Sequence, residues 1–336
     1  MTNHDFKERL FQDQLTEPCA VLDFNGIKIS IASKEALRVD SFYWLEEQVT
    51  GLTVHQPEDA TDEVDGNVRF VNSPDISSTY DPESRTLVVC GPVEKFNNGS
   101  ALTYACQYLA ECQRAARSKE LLIHAAAVSY PGEEGSLLIM GDKGAGKTTI
   151  ALRLCHQHGY GLVGNDQAYL KAEEDGLKVG PGNLWFDIRE TAIASDPYIR
   201  SLVSINRTPE RAAWNNKIRV TPEELGLRGI TNQLEVRRLL HVRIDHSQPG
   251  IHAAKWLGVQ RNLLVHEKIG RHISGQATPL LDDQGEYFGS LPPIEPERTF
   301  AARDQIVHAI IETGITEIFA NNSDLAVDYI INGGEV

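Results

Sequence analysis

The stretch Gly141-Asp142-Lys143-Gly144-Ala145-Gly146-Lys147-Thr148 constrains the fold of this chain more than any other. It satisfies the pattern G-x-x-x-x-G-K-[ST] (Walker A) in full. Glycines in such a loop let successive backbone N–H groups curve inward around a polyphosphate, which larger side chains would block. The loop must also open a helix, so that unpaired N–H groups and the positive end of the helix dipole face the anion. Lys147 then reaches the β- and γ-oxygens, and the Thr148 hydroxyl is placed to ligate Mg²⁺. The flanking sequence supplies this context. The apolar run Leu137-Leu138-Ile139-Met140 reads as a strand leading into the loop, and Lys147–His158 reads as a helix stopped by Gly159. Residues 141–149, Thr149 included, form the expected binding loop, with ATP and Mg²⁺ as its cofactors.

Past the helix, Tyr160–Gly164 reads as a strand that delivers Asn165-Asp166, so strand, loop, helix and strand form a βαβ unit of a mostly parallel sheet. Ligands of open α/β sheets bind at the carboxyl ends of strands, where Asp166 falls. A carboxylate there can take the proton of an attacking hydroxyl or hold Mg²⁺; the competing reading is a turn aspartate. Upstream, Leu121–Tyr130 reads as one apolar strand and Ala101–Arg117 as a helix. Downstream, strands are expected at Val236–Ile244 and Ile315–Phe319, and helices within Ala254–Ile273, over Ala302–Thr313 and over Ser323–Ile331. Residues 1–98 carry short β-like runs (Ala20–Ser33, Val68–Val71, Thr86–Cys90) separated by turns such as Asn25-Gly26, with an acidic loop expected over Gln56–Asp65. The expected organisation is a smaller, mostly β module over 1–98 and an α/β domain over 99–336.

Bulk properties narrow the partners. A net charge of −15 over 336 residues argues against nucleic acid and anionic membranes. No stretch is apolar for long enough to span a bilayer, and the amino terminus lacks the apolar core of a secretory signal. Five cysteines without a CxxC pair (Cys19, Cys90, Cys106, Cys112, Cys155) point to reduced thiols, and together these features make the cytoplasm the expected location.

In the order in which they occur, Leu122-Ile123-His124-Ala125-Ala126-Ala127-Val128, then Leu137–Thr149, then Gly161-Leu162-Val163-Gly164-Asn165-Asp166 resemble the catalytic core of the HPr kinase/phosphorylase superfamily. The resemblance implies that the α/β domain follows that superfamily's carboxyl-terminal domain, that Asp166 is the base, that Lys147 stabilises the transferring phosphoryl group and that Thr148 holds Mg²⁺. It also implies that His124 is an active-site histidine; without it, His124 reads as a core histidine in an apolar strand. Trp185-Phe186-Asp187-Ile188-Arg189-Glu190 faintly resembles that family's Glu-x-Arg-Gly stretch, which makes Asp187 a candidate metal ligand. The departures are Asn165 for the first Asp of an Asp-Asp pair, Thr149 for a Glu, Asp187 for Glu and Glu190 for Gly. They argue against a reverse phosphorylase reaction and against HPr as the acceptor.

The resulting expectation is an ATP-dependent kinase whose acceptor is a hydroxyl of a peptide, a protein or a small metabolite; a homo-oligomer is left open. The alternatives are a nucleotide-dependent switch without acceptor phosphorylation, and a carboxykinase-like or phosphorylase reaction on the same core. Weaker signals are Lys217 and Arg219, two cations on one face of an extended segment that either clamp phosphate or line a solvated strand. Arg237, Arg238 and Arg243 are candidate transition-state cations. His156 and His158 read as capping the end of a helix, and Asp282-Asp283 as a polar turn.

Overall fold

The computed structural model describes residues 18–33, 42, 52–56, 63–96, 100–132, 135–203, 217–270, 279–281, 286–292, 294 and 297–333. The chain divides into two compact units, 1–119 with 269–303 and 120–268 with 304–336. The sequence reading divided it after residue 98; the contacts assign the helix that follows, and residues 269–303, to the amino-terminal unit.

The first unit is built on strands β1 (Pro18–Phe24), β2 (Lys28–Ser33), β3 (Leu52–His55), β4 (Gly66–Asn72), β5 (Ser77–Asp81) and β6 (Thr86–Gly91). They form one sheet in the order β3-β1-β2-β4-β6-β5. Asn25 and Gly26 join β1 to β2 with φ of 51° and 85°, the left-handed pair a tight hairpin needs. Helix α1 (Ser100–Ser118) packs on β1, β2 and β4, burying Leu102, Ala105, Cys106 and Leu109. Those positions follow a three- and four-residue spacing, which puts them on one face. Of the acidic loop expected over 56–65, residues 57–62 lie outside the described residues.

The second unit contains β7 (Glu120–Ile123), β8 (Ala126–Ser129), β9 (Ser136–Met140), α2 (Lys147–His158), β10 (Gly161–Gly164), β11 (Ala168–Glu173), β12 (Gly176–Gly180), β13 (Phe186–Arg189), α3 (Glu190–Ser195) and α4 (Pro197–Leu202). It continues with β14 (Lys217–Val220), β15 (Leu234–Ile244), β16 (Ile251–Lys255) and α5 (Gly258–Gly270). Short strands β17 (Pro279–Leu281) and β18 (Tyr287–Ser290), which pair with each other, fall in the stretch 269–303 of the first unit, as does the start of α6 (Glu297–Thr313); β19 (Ile315–Ala320) and α7 (Ser323–Ile331) complete the second. No helix among the described residues is long and apolar enough to cross a membrane.

The long strand β15 organises the second unit. Residues 236–241 pair with β9 and residues 239–244 with β19, both in parallel. Its first residues pair antiparallel with β12, which continues through β11 to β7. The sheet is therefore mixed, not mostly parallel as the sequence suggested. Besides those pairings and the antiparallel β16–β19 pair, β8 folds back on β9 as an antiparallel hairpin and takes β10 as its other neighbour. The βαβ expectation keeps its direction, since β9 and β10 run the same way, but one strand is interposed. A second difference lies at residues 121–130. The expected single strand is two, because the chain turns sharply at His124, where the Ala125 N–H donates to the Ile123 carbonyl at 3.0 Å. β7 then pairs with β11 while β8 pairs with β9 and β10.

Helix α2 covers the sheet beside α7. Ile150, Ala151 and Leu154 join Leu137, Ile139, Leu240, Val242, Ala326, Val327 and Ile330 in one core. Gly159, at φ 70°, ends α2, and its N–H donates to the Leu154 carbonyl. Asn322 caps α7 by accepting from the Leu325 N–H. All five cysteines are free, and burial pushes the Cys155 thiol up to about 12. Leu154 is fully buried, so Leu154→Ala is expected to lower the unfolding free energy by about 2–5 kcal/mol in urea titration. A loss below about 1 kcal/mol would mean that α2 is not packed as described.

Candidate active site

The phosphate-loop sequence bridges the end of β9 and the start of α2 in a conformation that needs glycine. Gly141, Gly144 and Gly146 have φ of 153°, 86° and 97°. A Cβ on Gly141 would come within 2.5 Å of the Val242 carbonyl oxygen, and one on Gly146 within 2.5 Å of Ile244 Cγ1. The loop is thus pressed against the carboxyl end of β15, where the Ile244 N–H also donates to the Ala145 carbonyl at 3.0 Å. Gly146 caps α2 without any side-chain hydrogen bond to the first turn. Main-chain donors at the start of α2, with Thr148 and Thr149 in its first turn, are left for a ligand or water.

Lys147 is buried and folded over its own loop. Its Nζ donates to the Gly141 carbonyl at 2.9 Å and the Asp142 carbonyl at 3.1 Å. It also approaches His124 Nε2 at 3.1 Å, while His124 Nδ1 lies 2.9 Å from the Asp166 carbonyl oxygen. An ammonium can only donate and a carbonyl can only accept. Nε2 must therefore be bare and Nδ1 protonated, which fixes the neutral Nδ1–H tautomer. The chain break that makes β7 and β8 separate strands is what aims this imidazole between Lys147 and Asp166.

Asp166 follows β10 in the left-handed conformation, at φ 63°, a region that Asp tolerates better than most residues. Its neighbour Asn165 is fully buried; its N–H donates to the Asn183 carbonyl at 2.7 Å and its amide to the Trp185 carbonyl at 3.2 Å. These bonds pin the turn that presents the Asp166 carboxylate, a quarter of whose side chain is exposed. The ribbon of β13 and β14 brings in the remaining groups. Asp187 stands opposite Arg219 in register and accepts from Arg219 Nε at 3.0 Å. Lys217 Nζ lies 3.8 Å from Asp166 and 3.9 Å from Asp187, and the Arg219 guanidinium stacks over the Trp185 ring at 4.4 Å.

Lys147, His124, Asp166 and Asp187 are thus linked through one set of contacts, with Lys217 and Arg219 beside them. Asp142 is engaged elsewhere: its carboxylate pairs with Lys268 of α5, and that hydrogen bond, with the same lysine's charge, holds the carboxyl below its ordinary range. Nothing in the sequence marked Lys268, which lies 126 positions away. The three arginines of β15 bond away from the cluster: Arg237 pairs with Glu235, Arg238 donates to the Ile330 carbonyl, and Arg243 pairs with Asp245. His156 meets the Tyr198 hydroxyl at 2.9 Å. Asp282-Asp283 lies outside the described residues.

Among the described residues no group of three or more His, Cys, Asp or Glu side chains converges for a metal ion. Two carboxylates that already share one cation still suit Mg²⁺, which takes one or two carboxylates and completes its shell with water and phosphate oxygens. Thr148, Asp166 and Asp187 are the residues that would hold it. The loop geometry itself is testable. Gly146→Ala is expected to lower stability by about 1–3 kcal/mol, since it adds both left-handed strain and a clash. A double-mutant cycle with Ile244→Ala should then show coupling of about 1 kcal/mol as the clash is relieved. Strict additivity would contradict this seating of the loop.

No family model matches the chain, and no curated protein does. Among solved structures, the chain is similar to the Hpr(Ser) kinase/phosphatase from Coxiella burnetii, with 19% identity and a TM-score of 0.26 over 41% of this chain and 78% of that one. At that TM-score the likeness carries no weight beside the geometry.

Proposed function

We propose that this protein is an ATP-dependent kinase that transfers the γ-phosphate to a hydroxyl group of a peptide, a protein or a small metabolite. The observation that carries the reading is the His124 bridge. One neutral imidazole touches the phosphate-loop lysine through Nε2 and the main chain of Asp166 through Nδ1. The group suited to the terminal phosphate and the group suited to the acceptor proton therefore stand on two sides of one ring.

The loop amides and the amino end of α2 grip the phosphates. Lys147 exchanges its carbonyl partners for phosphate oxygens and offsets the charge that spreads over the transferring group. Asp166 takes the proton as the acceptor oxygen bonds to the γ-phosphorus; the bond from that phosphorus to the bridging oxygen breaks, and ADP leaves with the electron pair. Thr148, Asp166 and Asp187 would hold Mg²⁺, which would supply neutralisation of the phosphate charge. His124 positions: its bonds set the height of the Lys147 ammonium and the orientation of the Asp166 peptide.

Incubating the protein with γ-labelled ATP, Mg²⁺ and candidate acceptors tests this. Asp166→Asn is expected to reduce the turnover number by about 10²- to 10⁴-fold. Undiminished transfer in the variant would remove Asp166 as the base. Nucleotide binding without transfer to any hydroxyl acceptor would favour a switch instead.

A further inference from the structure

The two carboxylates of this site already share a cation of the chain's own. Lys217 Nζ lies between Asp166 Oδ2, at 3.8 Å, and Asp187 Oδ2, at 3.9 Å. Cross-strand register places Lys217 and Arg219 on the face of the β13–β14 ribbon that carries Asp187. The two cations are not equivalent. Arg219 is fixed twice, by its 3.0 Å bond to Asp187 and by stacking on Trp185. Among the described residues Lys217 makes only the longer contacts, on a flexible stem whose side chain is 38% exposed, so it can withdraw into water at little cost.

Charge arithmetic gives this lysine a role. At these contacts two carboxylates face two cations, and Arg189, opposite Lys217 in register, and Lys147 add positive charge nearby. A divalent ion joining the same carboxylates would set a charge of four against two unless the ammonium left or phosphate anions arrived with the metal. A free divalent ion must therefore displace Lys217, whereas a metal carried on a triphosphate brings anions that the displaced ammonium can follow.

We propose that Lys217 is a resident counter-ion of the Asp166–Asp187 pair and a specificity-determining residue, one that makes the site accept the metal–nucleotide complex in preference to the free divalent ion. The inference rests on the phosphotransfer reading for its metal. Lys217 stays with the pair until nucleotide arrives, which keeps Asp166 free of metal in solutions rich in free Mg²⁺.

The test is a Mn²⁺ titration of the full-length, nucleotide-free protein, followed by the loss of the free-ion paramagnetic resonance signal. Lys217→Met is expected to bind Mn²⁺ about tenfold more tightly than wild type, the effect of removing a competing charge near 4 Å in a partly exposed site. Lys217→Gln should behave likewise, and Lys217→Arg, which keeps the charge, should stay close to wild type. Adding Asp166→Asn to Lys217→Met should return binding to the weak level, which assigns the ion to this pair. In the presence of ADP the gain from Lys217→Met should shrink. If neither Lys217→Met nor Lys217→Gln binds Mn²⁺ more tightly, or if Asp166→Asn leaves the gain intact, the inference is overturned. Neither result touches the kinase reading, whose failure shows separately as absence of γ-phosphate transfer by the wild-type chain.

Discussion

The His124 ring stands between Lys147 and Asp166, bare nitrogen toward the ammonium and protonated nitrogen toward a carbonyl. That placement depends on the fold at several removes. The chain must break between β7 and β8 for the ring to leave the apolar layer. β8 must lie between β9 and β10 for the loop and Asp166 to emerge at the same end of the sheet. The loop must press on β15 at Gly141 and Gly146 for Lys147 to start its helix where it does. Each condition rests on packing or backbone hydrogen bonds in the unit's interior, which gives the polar site a rigid frame.

The charged groups of the site are held against partners from the chain itself. Lys147 spends its donors on two loop carbonyls and a histidine, and the carboxylates of Asp166 and Asp187 face Lys217 and Arg219. These contacts fix the groups and leave none of them an unbonded buried polar group, which would be costly. Asp166 adds a backbone feature, since the left-handed conformation turns its peptide so that the carbonyl meets His124 while the side chain faces the ribbon. Asn would tolerate that conformation as well, so exchanging the carboxylate for an amide isolates chemistry from backbone strain.

Local codes were legible in the sequence and long-range pairings were not. The glycines of the loop, the extent of α2 and its stop at Gly159, the helix over Ser323–Ile331 and the carboxylate after β10 follow from turn chemistry and periodicity within about a dozen residues. The five residues 131–135 between two apolar runs made the turn from β8 into β9 legible, but not that β10 takes the other edge of β8, because a short apolar run carries no mark of a distant neighbour. His124 read as a core histidine on the residues alone; only its position relative to Lys147 and Asp166, 23 and 42 residues away, separates the two readings. Lys217 and Arg219 were visible as alternating cations, but their partners on β13 and beyond β10 depend on a register that no local pattern sets. Lys268 left no trace for the same reason.

The most direct measurement of the central claim is a crystal structure with Mg²⁺ and a non-hydrolysable ATP analogue. The account predicts that Lys147 Nζ leaves the Gly141 carbonyl for a terminal phosphate oxygen, and that the Asp166 carboxylate lies within about one water's reach of the γ-phosphorus, on the face open to an acceptor. A triphosphate gripped by the loop with Asp166 turned away from its end, or with Lys147 still bonded to the loop carbonyls, would contradict it.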